Sequence, residues 1–223
     1  LKVYLGWDSR EKAAYRVAEK TLAKTSGLTP TPLKTDWLAA AGLYSRPVDM
    51  SRGYDLPSNA PCSTEFAASR FLTPILAQTG WALFVDCDVV FLRSVFDMLT
   101  NLEPGKAVYV VKHGKHGGGV KMDGKEQTFY RRKNWSSVML FDCDHPANRR
   151  LTIDDINRRP GRDLHAFYWL HDDEIGELGP DWNWLVNVTP EPADVGIAHF
   201  TLGGPWFPDW GGSAHDELWL KHV

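Results

Sequence analysis

The amino-acid sequence predicts an α/β fold, one domain with a mixed central sheet flanked by helices. Three observations carry that prediction. Short apolar runs with strand character alternate with segments of helical periodicity. The 223 residues suffice for one sizeable core. Neither an internal repeat nor a clean boundary divides the chain.

Lys2–Trp7 is a short apolar strand that passes through Gly6. Asp8 or Ser9 offers an N-cap to a helix from Arg10 to Leu22, where Ala14, Val17, Ala18 and Leu22 recur at helical spacing. Thr31–Thr35 reads as a second strand. Residues 41–61 are rich in Gly, Pro, Ser and Asn and read as a long loop, a length that often marks a lid. A helix capped by Ser63 or Thr64 follows, carrying Phe66, Ala67, Arg70 and Phe71, with Pro74 kinking or ending it. Trp81–Val85 and Val89–Leu92 are strong strands, and a short helix follows Ser94. Lys106–Val111 is another strand, and His113–Gly124 a loop rich in Gly, Lys and His. Ser136–Phe141 is a strand again. Asn148–Asn157 reads as helix, ended by Pro160-Gly161, and Leu164–Glu177 as helical in part. Asp181–Trp184 and Gly203–Trp206 are irregular. Gly196–Ala198 is an apolar strand that His199 ends, and Ala214–Val223 a terminal helix.

Composition narrows the function classes. The formal net charge is -3, which argues against a broad nucleic-acid-binding face. Cys62, Cys87 and Cys143 form no CxxC pair and no zinc-like spacing. They read as thiols of a reducing cytosol. That predicts a cytoplasmic protein, or one peripheral to a membrane. No run of eighteen apolar residues predicts a transmembrane helix, and Leu1–Leu5 reads as strand rather than signal peptide. Of the ten tryptophans, seven follow Asn134, and their rings serve either as core filling or as platforms for a sugar.

Chemistry centres on Asp86-Cys87-Asp88, between two strong strands. Two carboxylates one residue apart, pinned on both sides, can grip a hard divalent cation. Asp142-Cys143-Asp144 repeats the pattern. It precedes His145-Pro146 and a helical segment, so Asp144 reads as a helix cap.

Five segments, in order, resemble GT-A-fold glycosyltransferases of family 8, the glycogenin and bacterial lipopolysaccharide galactosyltransferase type. They are Gly6-Trp7-Asp8, Ser69-Arg70-Phe71, Phe84–Leu92, Asn134–Phe141 and His199–Trp206. The resemblance implies a transferase that moves a hexose from a nucleotide sugar, UDP-hexose foremost, with retention, to a glycan or glycolipid acceptor. It implies a donor half over residues 1–112 and an acceptor half over 113–223. Asp86, Asp88 and His199 would bind Mn²⁺ or Mg²⁺, with the imidazole favouring Mn²⁺. Trp7 and Asp8 would meet the base and ribose, with Gly6 and Cys87 beside them. Gly203 and Gly204 would bring backbone N–H groups to the diphosphate, next to Trp206. The family's Lys is replaced by Gly204, and Arg70 can supply the missing charge. Asn134, Ser136 and Ser137 would line the sugar pocket, and Trp182 and Asn183 would touch donor or acceptor. Asp172 and Asp173 match a segment near the transferred sugar. Asp173 would act as nucleophile or stabilise positive charge, or both would bind sugar hydroxyls.

Lys112–Gly119 lacks the Gly-Lys-Ser/Thr ending of a P-loop and reads as an acceptor-side loop. Asp123, Lys125, Arg131, Arg132 and Lys133 read as solvated surface or as a contact for an anionic acceptor. Two other functions fit the same residues: a nucleotide-sugar hydrolase or phosphotransferase, and a non-enzymatic sugar-binding module.

Overall fold

The computed structural model describes residues 1–49, 52–114, 132, 134–207 and 212–223. Lys115, His116, Gly119, Asp123, Lys125, Arg131, Lys133 and Trp210 lie outside the described residues. The strand and helix order is β1 (Lys2–Gly6), α1 (Lys12–Ser26), β2 (Thr31–Leu33), α2 (Thr35–Ala40), β3 (Val48–Asp49), β4 (Tyr54–Asp55), β5 (Ala60–Pro61), α3 (Thr73–Ala77), β6 (Trp81–Val85), β7 (Val89–Phe91), β8 (Val108–Val110) and β9 (Val138–Asp142). Then come α4 (Ile153–Arg158), α5 (Gly161–His165), β10 (Ile175–Glu177), β11 (Trp184–Leu185), β12 (Ile197–His199) and α6 (Asp216–Leu220).

The central sheet has the order β10-β8-β9-β6-β1-β2. β1 runs parallel to β2 and β6, and β10 parallel to β8, while β9 is antiparallel to both β6 and β8. The carboxyl ends of β1, β2, β6 and β8 therefore lie along one edge, together with the start of β9. From β1 the chain goes to β2 on one side and later to β6 on the other, and such a switch point is where open α/β sheets bind ligands. A second sheet, β11-β12-β7, stands beside this edge. Residues on both sides of position 112 contribute strands to both sheets.

The helical periodicity of α1 holds: Ala14, Val17, Ala18 and Leu22 are all buried. Thr21 Oγ1 accepts from Phe91 N at 3.2 Å, which seats the helix on β7. Its start differs from the reading above. The helix begins at Lys12 without a side-chain cap, because the Asp8 carboxylate is committed to Arg10. It also runs on to Ser26, where Gly27 closes it in the left-handed conformation at φ 67.

Residues 41–61 are not one long loop. After α2, the strands β3, β4 and β5 form a small antiparallel meander. Arg46 holds it from inside, donating to Asp55 at 2.7 and 2.6 Å and to Ile156 O at 2.7 Å. Both partners of this ion pair are buried. Arg46→Met leaves the Asp55 carboxylate buried without its partner. It is expected to cost about 3–5 kcal/mol, read as a lower urea midpoint.

Other segments also depart from expectation, among them Asn148–Asn157, which Leu151 and Thr152 divide into a 3-10 turn and α4. Residues 69–72 form a 3-10 turn, and Pro74 starts α3 rather than ending a helix, because proline suits a first turn where its missing N–H has no partner to lose. Asp144 caps no helix; it accepts from Gly80 N at 2.9 Å, and His145 caps the next turn. Ser136 and Ser137 belong to a 3-10 turn before β9. The Leu164–Glu177 segment ends in a strand, β10, although Gly176 weakens the sequence signal.

Candidate active site

Asp86-Cys87-Asp88 joins the two sheets. Asp86 N donates to Ser137 O at 2.9 Å, tying the residue to the start of β9. Asp88 O accepts from Phe200 N at 2.9 Å, tying that residue to the end of β12. β12 pairs antiparallel with β7, with His199 opposite Val89. The register therefore sets the imidazole beside the triplet. His199 Nε2 stands 3.3 Å from Asp88 Oδ1. One ligand atom each from Asp86, Asp88 and His199 lies within 4.8 Å of the others. Two carboxylates and one imidazole on a confined centre fit Mn²⁺ or Mg²⁺. Cys87 points the other way, into the core, and burial pushes its thiol well up. Its side chain is a plug under the turn rather than a donor contact.

Arg70 is not on a solvated face. Its side chain is 6% exposed, and Nη1 donates to Asp86 Oδ1 at 2.7 Å and to Ser136 O at 2.9 Å. Phe66 and Phe84 flank the guanidinium, with their ring centroids 5.0 and 5.1 Å away. Arg70 thus orients one carboxylate of the triplet and supplies a positive charge next to it.

At the end of β1, Asp8 is fully buried. Burial pushes its carboxyl up, but Arg10 and the backbone N–H groups of Arg10 and Glu65 outweigh that and hold it below the usual range. Trp7 meets Tyr15 edge-on and carries Lys34 Nζ 4.1 Å from its ring centroid. Gly6 sits where a Cβ would lie 2.6 Å from the Phe66 ring. A cavity of about 780 Å³ opens beside this corner, lined by Ser9, Arg10, Thr35, Ala39, Tyr44, Arg46, Thr64 and Glu65 among others. Asp86, Asp88 and His199 do not line it.

The late segment is packed more than expected. Gly203 has φ 112, a conformation that favours glycine, and its N–H is already spent on Phe200 O at 2.7 Å. Trp206 packs on Gly204, Phe200 and Trp219 in a second apolar cluster. Trp182 is buried, with the Arg93 guanidinium 4.4 Å from its ring centroid and its ring over Gly196. These rings fill core.

Ser136 Oγ lies 2.6 Å from His165 Nδ1, and Ser137 Oγ donates to Asn134 O at 2.7 Å. Asn183 Oδ1 lies 2.9 Å from His199 Nδ1.

Asp172 and Asp173 form a 3-10 turn that leads into the amino end of β10. Ile175 pairs with Val108, Val108 with Phe141 and Phe141 with Ala82, at the amino end of β6. Asp86 follows the opposite end. Lys106 Nζ donates to Asp173 O at 2.8 Å, and Arg132 pairs with Asp172. Four residues along a strand and three strand spacings separate the backbone of Ile175 from that of Asp86 by on the order of 20 Å. The segment enters an edge strand directly, and the Arg132 that holds the Asp172 carboxylate also donates to Ala166 O, next to the His165 that meets Ser136.

Sequence reasoning missed His165, Arg10 and Glu65. His165 reaches Ser136 across 29 positions and Glu65 N reaches Asp8 across 57. No local motif marks such contacts.

No protein-family model matches the chain. Among solved structures, the glycosyltransferase GlyE of Streptococcus pneumoniae TIGR4 superposes with a TM-score of 0.61 at 14% identity, covering 99% of this chain and 59% of GlyE. This chain thus spans less than two thirds of that protein. The galactosyltransferase LgtC, solved with donor and acceptor sugar analogs, gives 0.58 at 11% identity over 100% of this chain and 95% of LgtC. Mouse xyloside xylosyltransferase 1 gives 0.50 at 12% identity over 92% of this chain and 99% of that one. At such identities the likeness shows the fold, GT-A, with its mixed sheet flanked by helices. Protein CDI of Arabidopsis thaliana is 38% identical over 234 residues, spanning 100% of this chain and 85% of that protein. With that identity over its whole length, the chain belongs to the family of Protein CDI.

Proposed function

We propose that this protein is a metal-dependent glycosyltransferase that takes a nucleotide sugar, UDP-hexose foremost, and transfers the hexose with retention to a glycan or glycolipid. The observation that carries the reading is the convergence of Asp86, Asp88 and His199 at the carboxyl edge of a GT-A sheet. When bound there, Mn²⁺ or Mg²⁺ supplies Lewis-acid stabilisation to a departing diphosphate. This chain's own residues do the rest. Arg70 orients Asp86 and offsets negative charge in place of the Lys that Gly204 replaces. The cavity beside Trp7 and Asp8 accepts the nucleoside. Retention is proposed without an assigned nucleophile. No helix among the described residues is long and apolar enough to cross a membrane.

Isothermal titration with UDP tests the donor site. UDP binding is expected to tighten at least about tenfold when Mn²⁺ is present. An affinity indifferent to EDTA and Mn²⁺ would count against the reading. Product analysis with UDP-sugars then separates transfer to an added acceptor from hydrolysis of the donor.

A further inference from the structure

We infer that Asn183 is a positioning residue, given the metal reading above: it locks His199 in the Nδ1–H tautomer and so aims a bare Nε2 at Asp86 and Asp88. Asn134, in a left-handed conformation at φ 64, turns its carbonyl toward the next turn. Ser137 Oγ donates its one proton to that carbonyl at 2.7 Å. The Ser137 oxygen then has only lone pairs to offer Asn183. Asn183 Nδ2 lies 2.9 Å from Ser137 Oγ and 3.3 Å from Asn134 O. Two acceptors on that side require the amide nitrogen there, and Oδ1 on the other. A flipped amide would set oxygen against oxygen at one end and leave His199 Nδ1 no acceptor.

Asn183 Oδ1 therefore accepts, and His199 Nδ1, 2.9 Å away, is the donor. Asn183 is fully buried and His199 is 2% exposed, so water does not take over this bond. A neutral imidazole has one ring proton. With that proton on Nδ1, Nε2 presents a lone pair to Asp88 Oδ1 at 3.3 Å. A positive charge between the two, a metal ion or the second proton of an imidazolium, satisfies both. Metal-ligating histidines owe their orientation to such a bond from the other ring nitrogen. Asn134 and Ser137, expected to line the sugar pocket, and Asn183, expected to touch donor or acceptor, thus form a relay behind the candidate metal ligand.

The test pairs a tautomer measurement with metal affinity, both without donor. In metal-free wild-type protein labelled with ¹⁵N-histidine, at alkaline pH, His199 is expected to carry its proton on Nδ1. Asn183→Leu is expected to weaken Mn²⁺ binding about 10–100-fold, followed by the resonance of free Mn²⁺. Asn183→Asp keeps an acceptor toward Nδ1 and, once the Ser137 hydroxyl turns from Asn134 O to donate to the second carboxylate oxygen, is expected to restore most of that affinity. A proton on Nε2 in the wild-type ring, or Asn183→Leu binding Mn²⁺ as the wild type does, overturns the assignment. If Asn183→Leu does not fold, the wild-type spectrum and Asn183→Asp decide, and Asn183→Asp as weak as Asp86→Asn overturns it. Wild-type protein that binds no Mn²⁺ sinks the metal reading alone, because the tautomer is read without metal.

Discussion

Asp88→Asn and His199→Ala are each expected to lower sugar transfer by at least about a thousandfold, the equivalent of roughly 4 kcal/mol of lost transition-state stabilisation. Mn²⁺ affinity should fall with it. Each variant removes one ligand from a set whose donor atoms lie within 4.8 Å of one another; His199→Ala also leaves the buried Asn183 Oδ1 without its donor, so part of its loss is structural. Asp86→Asn is expected to lose as much activity and also to lower stability, because Asp86 is paired with Arg70 at 2.7 Å. Thermal melts of the metal-free proteins separate the two effects. Asp88→Asn should melt near the wild type and Asp86→Asn below it. Transfer that persists in the Asp88 and His199 variants would exclude this triad as the metal site.

Arg70→Met is expected to destabilise the metal-free protein by about 3–5 kcal/mol. The Arg70 side chain is 6% exposed and that of Asp86 14%, so the deleted guanidinium leaves a largely desolvated carboxylate. Ser136 O loses a donor as well. Mn²⁺ should repair part of the loss, because cation and guanidinium neutralise the same carboxylate. Its addition is therefore expected to raise the melting temperature of Arg70→Met more than that of the wild type. Arg70→Lys keeps the charge but not the planar fork between Phe66 and Phe84, and an intermediate loss is expected. Calorimetric melts with and without Mn²⁺ check both statements. An equal metal-induced shift in all three proteins would mean that Arg70 supports the fold without acting on the site.

Much of the sheet was legible in the sequence. β1, β6, β7 and β9 are apolar runs flanked by turns, and buried strands need that pattern whatever their partners. The small meander was hidden because its strands have two residues each, too short for any period to register. Arg46 and Asp55 hold it by a contact that no local rule encodes.

The candidate site divides in the same way. Asp86 and Asp88 are neighbours in sequence, so their pairing could be read from the triplet and its flanking strands. Strand context also distinguished them from Asp142 and Asp144, which sit at the other end of the sheet beside Gly80. The approach of His199 was expected from resemblance, and the pairing of β12 with β7 is its physical cause. Asp172 and Asp173 show the limit. Their spacing resembles a sugar-facing segment, whereas the parallel pairing of β10 with β8, which sets Ile175 level with Val108, is not written in that spacing.

From residues alone came the alternation of strands and helices, the α/β class and the paired carboxylates, because local periodicity and adjacency encode them. Which carboxylates meet the histidine, which arginine steadies them and which amide holds the imidazole followed from the folded chain. Those contacts depend on strand direction, register and burial, and a register is a relation between distant segments that neither segment specifies on its own.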